Sequence, residues 1–230
     1  MNTMNKIGIA VAVLREFKAF LEDNSFKTTK IETKSRDVYK AIINGNEVYF
    51  LQSGYGEIDA SASIEFLISK FDCNIILNYG VVGALREGLR VKTVYYVTKV
   101  VHYDFDISGV DPVKKTQYLD YSDIYIPVSD KLINLVRNID PTIEGVVLAS
   151  GDKFIVDKTI KKQLSIDYDA AICDMEGAAI ARTTDKNKVD CLLIKCVSDT
   201  FGGTGEDFAS NVVSSSKIAF NLIKKIINTL

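Results

Sequence analysis

The chain has 230 residues, of which 47% are hydrophobic and 25% charged, and its formal net charge is −2. That length and composition suit a single α/β domain over residues 1–230, able to bury its own core. The slightly acidic balance excludes a general nucleic-acid binder, and no apolar window approaches the roughly 20 residues of a membrane span.

Lys6–Val13 reads as a buried strand: its apolar run imitates the centre of a signal peptide, but no small-residue cleavage site follows. Leu14–Glu22 follows as a short helix. Val38–Ile43 and Val48–Ser53 flank Asn44-Gly45, a pair suited to a tight hairpin turn. Ile58–Lys70 reads as a helix with Ile58, Ala62, Phe66 and Leu67 on its apolar face. Asn74–Tyr79 and Thr93–Val101 read as buried strands, and the polar, Tyr-rich Asp106–Tyr125 as a long loop of the kind that carries function. A helix (Lys131–Ile139), a strand (Gly145–Ala149), a helix (Lys158–Leu164) and a strand (Ala170–Asp174) come next. A helix opening near Glu176, a strand (Cys191–Val197) and a terminal helix from Phe208 complete the chain. The last helix carries the stripe Phe208, Val212, Ala219, Leu222 and Ile226, with Asp207 as its expected N-cap. Strands alternating with helices predict α/β layering around a mostly parallel sheet.

Cys73, Cys173, Cys191 and Cys196 form no C-x-x-C pair and sit in apolar runs, so they are expected to be buried and reduced. With no signal peptide in view, the expected location is cytoplasmic. His102 is the only histidine, which excludes chemistry built on several histidines, and nothing near it supplies a nucleophile elbow.

Four strand ends carry residues suited to chemistry. They are Leu14-Arg15-Glu16, Gly80-Val81-Val82-Gly83-Ala84, Asp174-Met175-Glu176-Gly177 and Ser198-Asp199-Thr200. Each has a plain structural alternative. Glu16 suits a helix first turn, Asp174 a cap, Asp199 a turn, and Gly80 and Gly83 a tight strand exit. The residues alone therefore reach as far as an α/β enzyme with a carboxylate-lined site.

Taken in order, K-I-G-I-A with Glu16, S-G-Y-G, N-Y-G-V-V-G-A-L, S-G-D-K-F-I, D-M-E-G-A-A-I-A and V-S-D resemble the 5′-methylthioadenosine/S-adenosylhomocysteine nucleosidases. These belong to the purine and uridine phosphorylase superfamily, and the resemblance runs from Lys6 to about Phe208. It implies a three-layer α/β/α sandwich around a twisted mixed sheet. The implied reaction is hydrolysis of the N-glycosidic bond of adenine nucleosides, with no cofactor or metal, in a cytoplasmic homodimer.

By the same resemblance, Asp199 would act on N7 of the purine, Glu176 would hold the ribose hydroxyls, and Glu16 would activate water. Phe154 would stack on the base, the Ile155 backbone would read its edge, and Met175 would pack beside the sugar. Tyr55, Val81, Ser198 and Lys195 complete the expected binding set, and His102–Tyr125 would cover the 5′ subsite, across the dimer interface. The chain departs from the family where Val81 replaces Ser, Tyr79 replaces Thr, Lys195 replaces Arg and Tyr55 replaces a smaller apolar residue.

Two other readings compete. A phosphorylase would need cationic anchors, and Arg15 lies about where one is placed. Against it, Asn78 stands where the hexameric purine phosphorylases carry Arg, no arginine follows Arg182 to partner Asp199, and Glu16 would repel phosphate. A non-catalytic nucleoside-binding protein would have no use for all three acids.

Overall fold

The computed structural model describes residues 4–230. Strand β1 (Lys6–Val11) enters helix α1 (Leu14–Leu21), followed by β2 (Thr28–Glu32), β3 (Asp37–Ile43) and β4 (Asn46–Gln52). Asn44 and Gly45 turn the β3–β4 hairpin with φ of 48° and 79°, a conformation that Asn and Gly tolerate best. Helix α2 (Gly56–Phe71), β5 (Ile75–Ala84), β6 (Val94–His102), β7 (Ile126–Pro127) and α3 (Asp130–Ile139) follow. Then come β8 (Glu144–Ser150), α4 (Lys158–Tyr168), β9 (Ile172–Asp174), α5 (Gly177–Asn187), β10 (Asp190–Asp199) and α6 (Gly205–Thr229).

The strands form one mixed sheet in the order β10-β6-β8-β9-β5-β1-β4-β3-β2, with β7 beside β6. β10 also pairs with β5, so half of the sheet closes on itself. β1, β4, β5 and β10 run parallel, while β9 meets β5 antiparallel with Cys173 opposite Gly83. Helices cover both faces. Phe17 and Phe20 of α1, Leu132 and Val136 of α3 and Ile223 and Ile226 of α6 pack on one. Ala60, Ile64 and Leu67 of α2 and Ala178–Ala181 of α5 pack on the other. This gives the expected three layers, and it explains why β1 is apolar without alternation: both of its faces are buried. Among the described residues, no helix is long and apolar enough to cross a membrane.

Three local expectations are corrected. Helix α2 starts at Gly56, and its buried face is Glu57, Ala60, Ser63, Ile64 and Leu67. Ile58 is 81% exposed and Ala62 is also exposed. Counting apolar residues misplaced this face because Glu57 and Ser63 are buried with polar partners, Ser150 and Arg36 among them. The N-cap of α6 is Thr204; Asp207 instead reaches back to accept the Thr204 backbone N–H at 2.8 Å, as the second arm of a capping box. Finally, Gly80–Gly83 is no loop beyond β5 but its second half, paired along β10.

Candidate active site

A cleft of about 560 Å³, counted to its open mouth, lies where the second halves of β5 and β10 meet the ends of β1 and β9. Of the ten residues expected at the site, nine line it: Glu16, Tyr55, Val81, Phe154, Ile155, Met175, Glu176, Ser198 and Asp199.

Glu16 sits in the first turn of α1 and turns inward rather than to solvent. Its carboxylate accepts the Val81 N–H at 2.7 Å and the Val13 N–H at 3.3 Å. Burial raises its proton affinity above the usual carboxylate range, against the pull of these N–H groups and of Lys195. A base that holds a proton more tightly is better able to take one from water. The approach demands glycine on β5: a Cβ at Gly80 would stand 2.9 Å from Glu16 Oε1.

Asp199 ends β10 beyond an irregularity in the pairing that sets it opposite Gly83. Its Oδ1 accepts the Ser198 hydroxyl at 2.9 Å, and its Oδ2 faces Lys161 Nζ at 3.3 Å. A Cβ at Gly83 would stand 3.0 Å from Asp199 Oδ2. Both glycines of the G-x-x-G pattern thus make room for an acid, and neither has a positive φ.

Glu176 occupies the N-cap position of α5 and accepts the Gly56 N–H at 2.9 Å. Burial, then the neighbouring Asp174, push its proton affinity up. Asp174 caps α5 through the Gly177 N–H at 3.1 Å and also pairs with buried Lys195 at 2.8 Å. Behind them Glu57 accepts the Ser150 hydroxyl at 2.7 Å and the Ala179 N–H, and burial pushes it up to about 8. Three carboxyl groups, Asp174, Glu176 and Glu16, thus surround the buried ammonium of Lys195, with Glu57 next to Asp174 and Glu176. A cation forming in the cleft would favour the charged form of the carboxyl groups beside it and be stabilised by them. At the mouth Phe154, 49% exposed, meets Phe208 edge-on at 5.4 Å and leaves ring surface free for a planar ligand.

The remaining expectations fare differently. Lys195 does not line the cleft; it is spent on Asp174. Arg15 is exposed and away from the lining, and Asn78 ties β5 to β1 by donating to Ala10 O at 2.9 Å. Tyr79 points into the opposite core against Phe220. No residue of His102–Tyr125 lines the cleft within this chain. From Tyr103 onward that segment lacks helix and strand until β7, as expected of a loop, but it is stapled down. Phe105 stacks on Tyr118 at 4.0 Å, His102 meets the Tyr118 hydroxyl at 2.7 Å, and Arg182 grips Asp120 through two bonds. Sequence reasoning missed Lys161 and Glu57. Lys161 lies in register with Leu164 and Tyr168 on the buried face of α4, and a lysine inside an apolar stripe was the available signal.

A family model described as the Phosphorylase superfamily matches residues 6–228. The chain belongs to the phosphorylase superfamily. Within the superfamily it is 31% identical to the aminodeoxyfutalosine nucleosidase of Campylobacter jejuni, over 99% of this chain and 100% of that one. It is 32% identical to the 5′-methylthioadenosine/S-adenosylhomocysteine nucleosidase of Staphylococcus haemolyticus, over 95% and 99%. Among solved superfamily members, the Campylobacter jejuni 5′-methylthioadenosine/S-adenosylhomocysteine nucleosidase superposes with a TM-score of 0.90 at 30% identity, covering 98% of this chain and 100% of that one.

Proposed function

We propose that this protein hydrolyses the N-glycosidic bond of adenine nucleosides such as 5′-methylthioadenosine or S-adenosylhomocysteine, releasing adenine and the substituted ribose. The observation that carries the reading is the convergence of Glu16, Glu176 and Asp199 on one cleft beside the exposed ring of Phe154. In this reading the base stacks on Phe154 and Asp199 delivers a proton to N7, so that the purine leaves as a neutral molecule. Positive charge builds on the ribose between Glu176 and Glu16 as the bond to the base breaks. Glu16 then takes a proton from the water that attacks the anomeric carbon. Relatives named as nucleosidases along the whole chain support the same reaction class.

Water is favoured over phosphate as the nucleophile on electrostatic grounds. Among the described residues, Lys153 is the one cation lining the cleft, and it is exposed. Glu16 would oppose each unit of phosphate charge by roughly 4 kcal/mol at about 4 Å and an effective dielectric near 20. Homodimerisation belongs to this reading: Tyr55 at the cleft mouth and Ile58 on the next turn are large, apolar and exposed, a patch that a second copy would cover.

The test is to incubate the protein with 5′-methylthioadenosine, with and without phosphate, and follow adenine and the sugar product. Adenine and free substituted ribose should appear without phosphate. A strict phosphate requirement with a sugar 1-phosphate as product would overturn the hydrolytic reading.

A further inference from the structure

Lys161 is the one lysine of α4 drawn fully inside the protein, at 0% exposure. Burying an ammonium is costly unless charge and hydrogen bonds compensate it. Its partners are few and specific. Nζ lies 3.3 Å from Asp199 Oδ2 and donates to the Thr200 carbonyl at 3.1 Å. Both belong to the end of β10 and the residue after it. The Asp199 side chain is almost equally buried, and its other oxygen is taken up by the Ser198 hydroxyl at 2.9 Å. Lys161 itself does not line the cleft, whereas Ser198 and Asp199 do.

We infer that Lys161 is a positioning and charge-compensating residue for Asp199 in glycoside cleavage, an inference that rests on the hydrolytic reading above. When the bond to the base breaks, its electron pair passes to the purine, and the proton that Asp199 takes up from solvent with the substrate passes to N7. Asp199 is left as a carboxylate in a site nearly closed to water, facing a fixed ammonium. Lys161 keeps its own protons throughout. Its positive charge lowers the cost of the charge that appears on Asp199, and its tether to Thr200 O fixes which way the carboxyl group points. The role needs Lys161 to touch no substrate, so its loss should act on turnover and not on binding.

The experiment compares parent, Lys161→Met, Lys161→Gln, Asp199→Asn and Lys161→Met/Asp199→Asn on 5′-methylthioadenosine, with melting curves for each. Met keeps the length of the stem without the charge, and Gln keeps a hydrogen-bond donor should Met fail to fold. The single variants should lose roughly ten- to hundredfold in kcat, the range of one charge-assisted hydrogen bond, with KM within about threefold of the parent. The double variant should be no slower than Asp199→Asn alone, because Lys161 acts only through Asp199. A single variant that folds and keeps kcat within threefold of the parent overturns the inference, as do losses that multiply in the double variant. An inactive parent would instead refute the hydrolytic reading, so the two failures are told apart.

Discussion

Asn in place of Asp199 separates the chemical from the structural work of this side chain. Asn has nearly the same shape but no proton to deliver to N7, so kcat should fall by about 10²–10⁴. The same change removes the counter-charge of an ammonium at 0% exposure. Breaking a buried ion pair by deleting one partner costs about 3–5 kcal/mol. Here the Asn carbonyl can still accept from Lys161 and the Thr200 carbonyl bond remains, so about 2–3 kcal/mol is expected. For a chain of this size each kcal/mol moves Tm by about 2–4 °C, which gives a drop of about 5–10 °C. Thermal melts and steady-state kinetics on the same preparations read both effects. Adding Lys161→Met should return Tm toward the parent, since the lone buried charge is then gone, without restoring kcat. An unchanged Tm in Asp199→Asn would refute the energetic coupling of the pair, and an unchanged kcat would remove Asp199 as the acid.

Two further outcomes are expected. Glu16→Gln should slow hydrolysis by about 10²-fold or more while weakening a purine-ribose transition-state mimic much less, because the amide oxygen can still accept from the Val81 N–H. Parent-like kinetics in that variant would mean that water is activated elsewhere. Glu57→Gln should change how stability depends on pH. In the folded chain burial raises Glu57 from 4.5 to about 8, so the folded state holds this proton more tightly than the unfolded state does. Its contribution to stability is therefore lost as pH rises from about 4.5 through about 8. Gln does not titrate, so Tm of the variant relative to the parent should climb over that interval; a difference that is the same at both ends would refute the assignment.

Local patterning by itself determined the order of strands and helices except the edge strand β2 and the two-residue β7, and with it the Asn44-Gly45 hairpin, the long loop before β7 and the four strand ends that carry the acids. These follow from near-neighbour rules: apolar runs for buried strands, turn residues at fixed offsets, and acids just past a strand. Resemblance then named the site residues, and nine of its ten line one cleft. What the tertiary structure decided is the state of each charge. Lys195 could serve a substrate or a neighbour on sequence grounds, and only the fold spends it on Asp174. No arginine follows Arg182 to partner Asp199, yet Asp199 has a basic partner in Lys161, 38 positions earlier on α4. Gly80 and Gly83 looked like the exit of a strand, and they are the floor on which Glu16 and Asp199 rest. The buried face of α2 was misread for the same reason, since Glu57 is admitted to the interior by Ser150 and Ala179, residues of β8 and α5. Periodicity reports which side chains avoid water, but a buried charge is tolerated only through a partner, and the partner is chosen by contacts between elements far apart in the chain.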